Sequence, residues 1–176
     1  MLGRAIWVLA LAAITLAACG SDDDDAPTTT AGVGERNAVA VEVAAGYCSF
    51  DAALSATRGP CPPSGATAAA MAACKGPELV AVAAAEALLK RLATLPDTPS
   101  LRDVLAPLSR GLQAFVSAAR ERISAIDAGD TARFDRDHES IAGALGILCP
   151  VVTELVAALP AGGRDLPTTC DDTAVG

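Results

Sequence analysis

Aromatic side chains are scarce in this chain, at 3% of 176 residues. That leaves no ring platform for stacking nucleobases or sugars. Histidine is rarer still. His138 is the only one, so any His-paired metal site or nucleophile–histidine dyad must pass through it. Lysine is confined to Lys75 and Lys90, and the formal net charge is −8, which argues against nucleic acid or an anionic lipid surface as a partner. The chain has no Cys-x-x-Cys, no Gly-x-Ser-x-Gly elbow, no phosphate-binding glycine loop and no His-Glu-x-x-His. No catalytic residue, metal site or cofactor is therefore assigned, and the expectation is a protein that is not an enzyme.

What is present begins with an apolar run from Ala5 to Ala18 behind Arg4, ending in small residues. The run is shorter than the roughly 20 residues a spanning helix needs and fits the core of an export signal. Its end, Leu16-Ala17-Ala18-Cys19, resembles the lipobox of bacterial lipoproteins. That resemblance implies diacylglyceryl modification of Cys19 and cleavage before it. It further implies a mature protein held by two or three acyl chains, palmitate among them, to the extracytoplasmic side of the cell membrane. Residues 1–18 would be the signal peptide.

From Cys19 to Arg36 the chain is rich in Asp, Thr, Gly and Pro without apolar periodicity, as expected of a disordered tether. Asp22 to Asp25 read as a solvated spacer, since a flexible acidic run cannot preorganise cation ligands. Thr28, Thr29 and Thr30 are candidate sugar attachment points. The remainder is long enough for one compact domain.

That domain, placed over residues 37–160 with a C-terminal coil over 161–176, reads as all-α: a four-helix-type up-down bundle, disulfide-stapled, whose C-terminal half is a kinked antiparallel helix hairpin. Val39, Val43, Tyr47, Phe50 and Leu54 predict a first helix from Asn37 to Thr57. A short helix is expected near Ala66 to Cys74. Pro77 is then expected to open another, apolar on nearly every side, that runs to Leu95 in the middle of the bundle, with Glu86 and Lys90 as an i,i+4 pair. Ser100 and Asp103 form a candidate capping box for a long helix with stripe Leu101, Leu105, Leu108, Leu112, Phe115, Ala119, Ile123 and Ile126. Ala128-Gly129 ends it. Asp130 caps the next, with stripe Phe134, His138, Ile141, Leu145, Leu148, Val152, Leu155 and Leu159. His138, inside that stripe, reads as a boundary histidine bonded to a neighbouring carboxylate. Asp135, Asp137 and Glu139 alternate like the start of an EF-hand loop but lack its turn glycine and its closing glutamate.

Beyond Cys19, five cysteines remain: Cys48, Cys61, Cys74, Cys149 and Cys170. On the oxidising side of a membrane two disulfides and one odd thiol are expected. Cys61–Cys74 and Cys149–Cys170 are the preferred pairs, with Cys48–Cys149 as a rival. Two functional readings follow. One is a membrane-anchored helical module that binds another envelope component. The other is a carrier of an apolar or lipid-like ligand, in which kinks at Pro107 and Pro150 splay the hairpin around Leu105, Leu108, Leu112, Leu145, Leu148 and Val152.

Overall fold

The computed structural model describes residues 31–62 and 64–157. The segments expected to be the export signal, the tether up to residue 30 and the C-terminal coil, with Cys19, Leu159 and Cys170, lie outside the described residues. Among the described residues the elements are four helices: α1 (Ala31–Ser55), α2 (Ala68–Leu92), α3 (Pro99–Ala128) and α4 (Thr131–Ala157). α1 packs on α2, α2 on α3 and α3 on α4, and a smaller contact of α1 with α4 closes the bundle. The expected all-α architecture is observed.

α3 and α4 form the antiparallel hairpin read from the sequence. Gly129 adopts the left-handed region at φ 66°, a conformation glycine takes without a side-chain clash. The Asp130 amide then donates to the Ala125 carbonyl at 2.9 Å, which closes a Schellman-type stop. Asp130 Oδ1 accepts from the Arg133 amide at 3.0 Å and caps α4.

The start of α3 differs from expectation. Its N-cap is Thr98 and its first turn opens on Pro99, so Ser100 and Asp103 lie inside the helix rather than framing it. Proline's fixed φ and missing donor suit the first helical position, and that preference prevails over the capping box one residue later.

Two boundaries upstream also differ. α1 begins at Ala31, so residues 31–36 are helical rather than part of the tether. The two helices expected around Pro77 are one: α2 runs through the proline. The buried stripe explains it, because Met71, Cys74, Glu78, Ala81, Val82, Ala85, Leu88 and Leu92 recur at helical spacing on both sides of position 77. Breaking the helix there would turn half of that stripe away from the core. Glu86 pairs with Arg120 across to α3 and not with Lys90 along its own helix.

Each of α2, α3 and α4 carries an interior proline, Pro77, Pro107 and Pro150. A proline removes the donor for the carbonyl four residues earlier. Those residues, Ala73, Asp103 and Gly146, are all exposed, so water can take the donor's place. The prolines therefore lie toward the outside of the bundle and do not part the helices inside it.

Most of the core is one continuous cluster that includes Val43, Phe50, Leu88, Leu108, Leu112, Phe115 and Leu148. Phe50 meets Phe115 edge-on at 4.9 Å between ring centroids, and Tyr47 meets Phe50 at 5.6 Å. Three of the chain's five aromatic residues are thus spent at the centre. A smaller cluster of Cys61, Ala66, Met71, Cys74, Ala125 and Phe134 fills the end of the bundle where the α1–α2 loop crosses the α3–α4 turn.

One close helix approach is at Gly111 of α3, where an added Cβ would lie 2.7 Å from both Cγ and Cδ2 of Leu148. Gly111→Ala is expected to destabilise the domain by about 1 to 3 kcal/mol through overpacking. At an open helical position the same change would stabilise by up to about 1 kcal/mol. Urea denaturation reads the sign, and a stabilised variant would show that the two helices are not in contact there.

Candidate functional site

The site expected between the kinked helices is not an opening. Leu108, Leu112, Leu148 and Val152 are fully buried, Leu105 and Leu145 pack against them, and Leu148 occupies the space beside Gly111. An open hollow of about 290 Å³ lies instead between α1 and the C-terminal end of α2. It is lined by Val43, Leu88, Leu92 and Leu95 with Glu42 and Arg91 on its rim.

The cysteines resolve in part as expected. Cys61 and Cys74 form a disulfide that ties the α1–α2 loop to α2, with Cα atoms 4.6 Å apart. Cys149 is a buried thiol, so neither Cys149–Cys170 nor Cys48–Cys149 is formed. Cys149 lies on the α4 face that packs into the core, and Cys170 lies outside the described residues. Cys48 is disulfide-bonded, and its partner is not among the described residues.

Beside the Cys61–Cys74 bridge is a buried charged pair, Glu78 and Arg122, to which no role was assigned from the sequence. Glu78 of α2 lies one turn from Cys74, with Oε1 3.8 Å from Cys74 Sγ. Arg122 of α3 donates from Nη1 to that same Oε1 at 3.0 Å and from Nη2 to the Pro62 carbonyl at 2.9 Å. Its guanidinium also lies over the Phe134 ring at 4.0 Å. The two side chains are only 5% and 4% exposed. The pair occupies the junction of the two apolar clusters, since Glu78 stands between Cys74 and Ala81 on α2, and Arg122 between Ala119 and Ala125 on α3.

Burial dominates the electrostatics. It pushes the Glu78 carboxyl up to about 7, and the Arg122 charge and hydrogen bond only partly oppose it. Arg122 is itself shifted down by burial despite Glu78, Asp135 and Asp137 nearby. On α4, burial raises Asp137 and lowers His138, the latter assisted by the Arg122 charge. The histidine is therefore held toward its neutral form. Its expected carboxylate partner is not found, because Nδ1 is buried without a hydrogen bond. Glu78 Oε2, Arg122 Nε, Asp135 Oδ1 and Asp137 Oδ2 are likewise buried side-chain atoms lacking a hydrogen bond. Asp135 Oδ2 accepts from the Gly65 amide at 3.2 Å, which fastens the α1–α2 loop to α4.

Cys61, Cys74 and Glu78 place two sulfurs and a carboxylate oxygen within 4.8 Å of one another, a metal-like grouping. The disulfide commits both sulfur ligands to each other, and Arg122 already occupies Glu78, so the oxidised site has no cation-binding set. The sequence signal for Glu78 was a carboxylate in a buried stripe one turn after a cysteine; for Arg122 it was an arginine between Ala119 and Ala125.

A second feature is the outward side of α2. From Ala68 to Ala87 every exposed position is Ala, Gly, Leu or Val, and Leu79 and Val80 are 48% and 59% exposed. Lys75 turns aside to bind Asp127. α3, by contrast, presents Arg102, Asp103, Arg110, Gln113, Arg120 and Glu121 to solvent. Among the described helices, α2 alone is long and apolar enough to cross a membrane by length and composition, but its other face carries the core and Glu78. Compared with models of protein families, with curated proteins and with solved structures, the chain has no match.

Proposed function

We propose that this chain is a lipid-anchored envelope protein whose helical domain is an interaction module, docking another envelope component on the outward face of α2. The observation that carries this reading is the run of exposed Ala, Gly, Leu and Val positions from Ala68 to Ala87, with Leu79 and Val80 at its centre and the charged side chains of Lys75 and Glu86 paired with Asp127 and Arg120. Contiguous exposed apolar surface of this kind marks contact sites more often than chance. Anchoring rests on Leu16-Ala17-Ala18-Cys19. The carrier reading has less support, because the leucines assigned to its pocket fill their own space.

Proximity labelling in living cells tests the proposal. The Leu79→Glu/Val80→Glu variant should keep its fold to within about 0.5 kcal/mol per exposed site and lose the dominant labelled neighbour. An unchanged neighbour set would overturn the α2 docking face. Cys19→Ala should abolish detergent-phase partitioning and incorporation of a fatty-acid analogue.

The second disulfide supplies an independent check on the anchor. With Cys61–Cys74 formed and Cys149 a thiol, Cys48 has Cys19 and Cys170 as candidate partners. A lipidated Cys19 has no thiol to offer, so peptide mapping should find Cys48–Cys170. A Cys48–Cys19 peptide would sink the lipoprotein reading.

A further inference from the structure

We propose that Cys61–Cys74 is an exchangeable dithiol–disulfide couple, in which an incoming dithiol attacks Cys61 and Glu78 hands a proton to the departing Cys74 sulfur. The geometry assigns the two sulfurs different roles. Cys61 stands at a bend in the α1–α2 loop and is 7% exposed, whereas Cys74 is in mid-helix and fully buried. Both are buried, but Cys61 is the less so and stands on the loop rather than in a helix, so it is the sulfur assigned to the incoming thiolate and Cys74 is the leaving group. A thiolate expelled into this apolar surrounding, with Met71, Ala125 and Phe134 in the same cluster, is poorly solvated unless it gains a proton.

Glu78 is the acid within reach, at 3.8 Å from Cys74 Sγ. Its Oε1 is the oxygen that faces the sulfur and also accepts from Arg122, whereas Oε2 has no hydrogen bond and holds the proton, which a turn of the carboxyl group about its Cγ–Cδ bond presents to Cys74. Burial keeps this carboxyl partly protonated near neutral pH. Once the proton has gone, Arg122 holds the resulting carboxylate. Stability alone does not account for the pair, since apolar residues at a buried ion pair often serve as well or better. A purely structural bridge would need no acid beside it.

The step balances as follows. One thiolate of the dithiol forms a bond to Cys61 Sγ as the Sγ–Sγ bond breaks, and the electron pair leaves on Cys74. Glu78 protonates Cys74 and becomes a carboxylate. The second thiol of the reductant loses its proton to water and displaces Cys61 from the mixed disulfide. The reductant departs as its own disulfide, two electrons having passed to Cys61 and Cys74, and Cys61 is left as thiolate or thiol according to pH. The charged groups around the pair are Arg122 on α3, then Asp135, Asp137 and His138 on α4 facing Arg122, and Lys75 on α2, which is bound to Asp127.

The test is the rate at which dithiothreitol reduces the full-length protein in detergent, read by alkylation of the Cys61 and Cys74 peptides between pH 6 and 9. Divided by the concentration of reductant thiolate, the wild-type rate constant should fall about tenfold per pH unit above pH 7, as Glu78 loses its proton. Glu78→Gln should give a slower rate, flat with pH. The double variant Glu78→Gln/Arg122→Met, which removes the unpaired buried cation, should also be flat and guards against a folding defect in the single change. Parallel profiles in wild type and both variants would overturn Glu78's role as proton donor. A rate independent of dithiothreitol concentration, the signature of reduction only after unfolding, would overturn the exchangeable couple altogether.

Discussion

Arg122→Met is expected to destabilise the domain by about 3 to 5 kcal/mol, a large part of the total stability of a small domain. The cost does not come from losing an attraction. It comes from leaving the Glu78 carboxyl, 5% exposed, without its counter-charge and donor, so that at neutral pH burial forces it to take up a proton that the unfolded chain would not hold. The same substitution also frees the Pro62 carbonyl and uncovers the Phe134 ring. Urea denaturation of the oxidised protein at neutral pH measures the loss. Glu78→Met/Arg122→Met should recover most of it, because two apolar side chains of similar volume leave no unpaired carboxyl inside. A double variant as unstable as the single one would show that packing against Phe134, rather than the unpaired carboxyl, sets the cost.

Removing the bridge as Cys61→Ala/Cys74→Ala should cost about 3 kcal/mol. The two residues are 13 apart, so the bridge closes a short loop whose freedom returns to the unfolded chain when it is cut. The denaturation slope should rise at the same time, since the uncrosslinked unfolded chain exposes more surface. A loss below about 1 kcal/mol would mean that Arg122 and the Asp135–Gly65 hydrogen bond hold the loop by themselves.

The sequence made the C-terminal hairpin legible because its signals are local and agree: Gly129 for the left-handed stop, Asp130 for the cap, and apolar steps of three and four on either side. Pro77 misled because a local rule, proline as helix opener, competed with a tertiary one. The stripe through Met71, Cys74, Glu78 and Ala81 needed one face presented without interruption. The same stripe hides Glu78, and Arg122 opposite it, from any reading that counts charged residues as solvent-facing. Each is tolerated inside only because the other is there, and that pairing across two helices is invisible along the chain. The outward face of α2 escaped for the opposite reason. Alanine is apolar wherever it stands, so composition could not separate Ala69 or Ala83 outside from Ala81 or Ala85 inside.

The order in which the helices pack has a kinetic consequence. Each helix lies against its neighbour in the chain, α1 on α2, α2 on α3 and α3 on α4, and the link between the last two is barely a turn. Few contacts must wait for distant segments to meet, and the Cys61–Cys74 bridge shortens the one longer connection. Chains with such local topology fold on the microsecond to millisecond scale. The α3–α4 hairpin is the natural place for folding to begin, with α2 and then α1 added to it. The fastest phase of stopped-flow refolding of the oxidised protein should accordingly lie within milliseconds, and substitutions at Phe115 or Leu148 should slow it more than substitutions in α1.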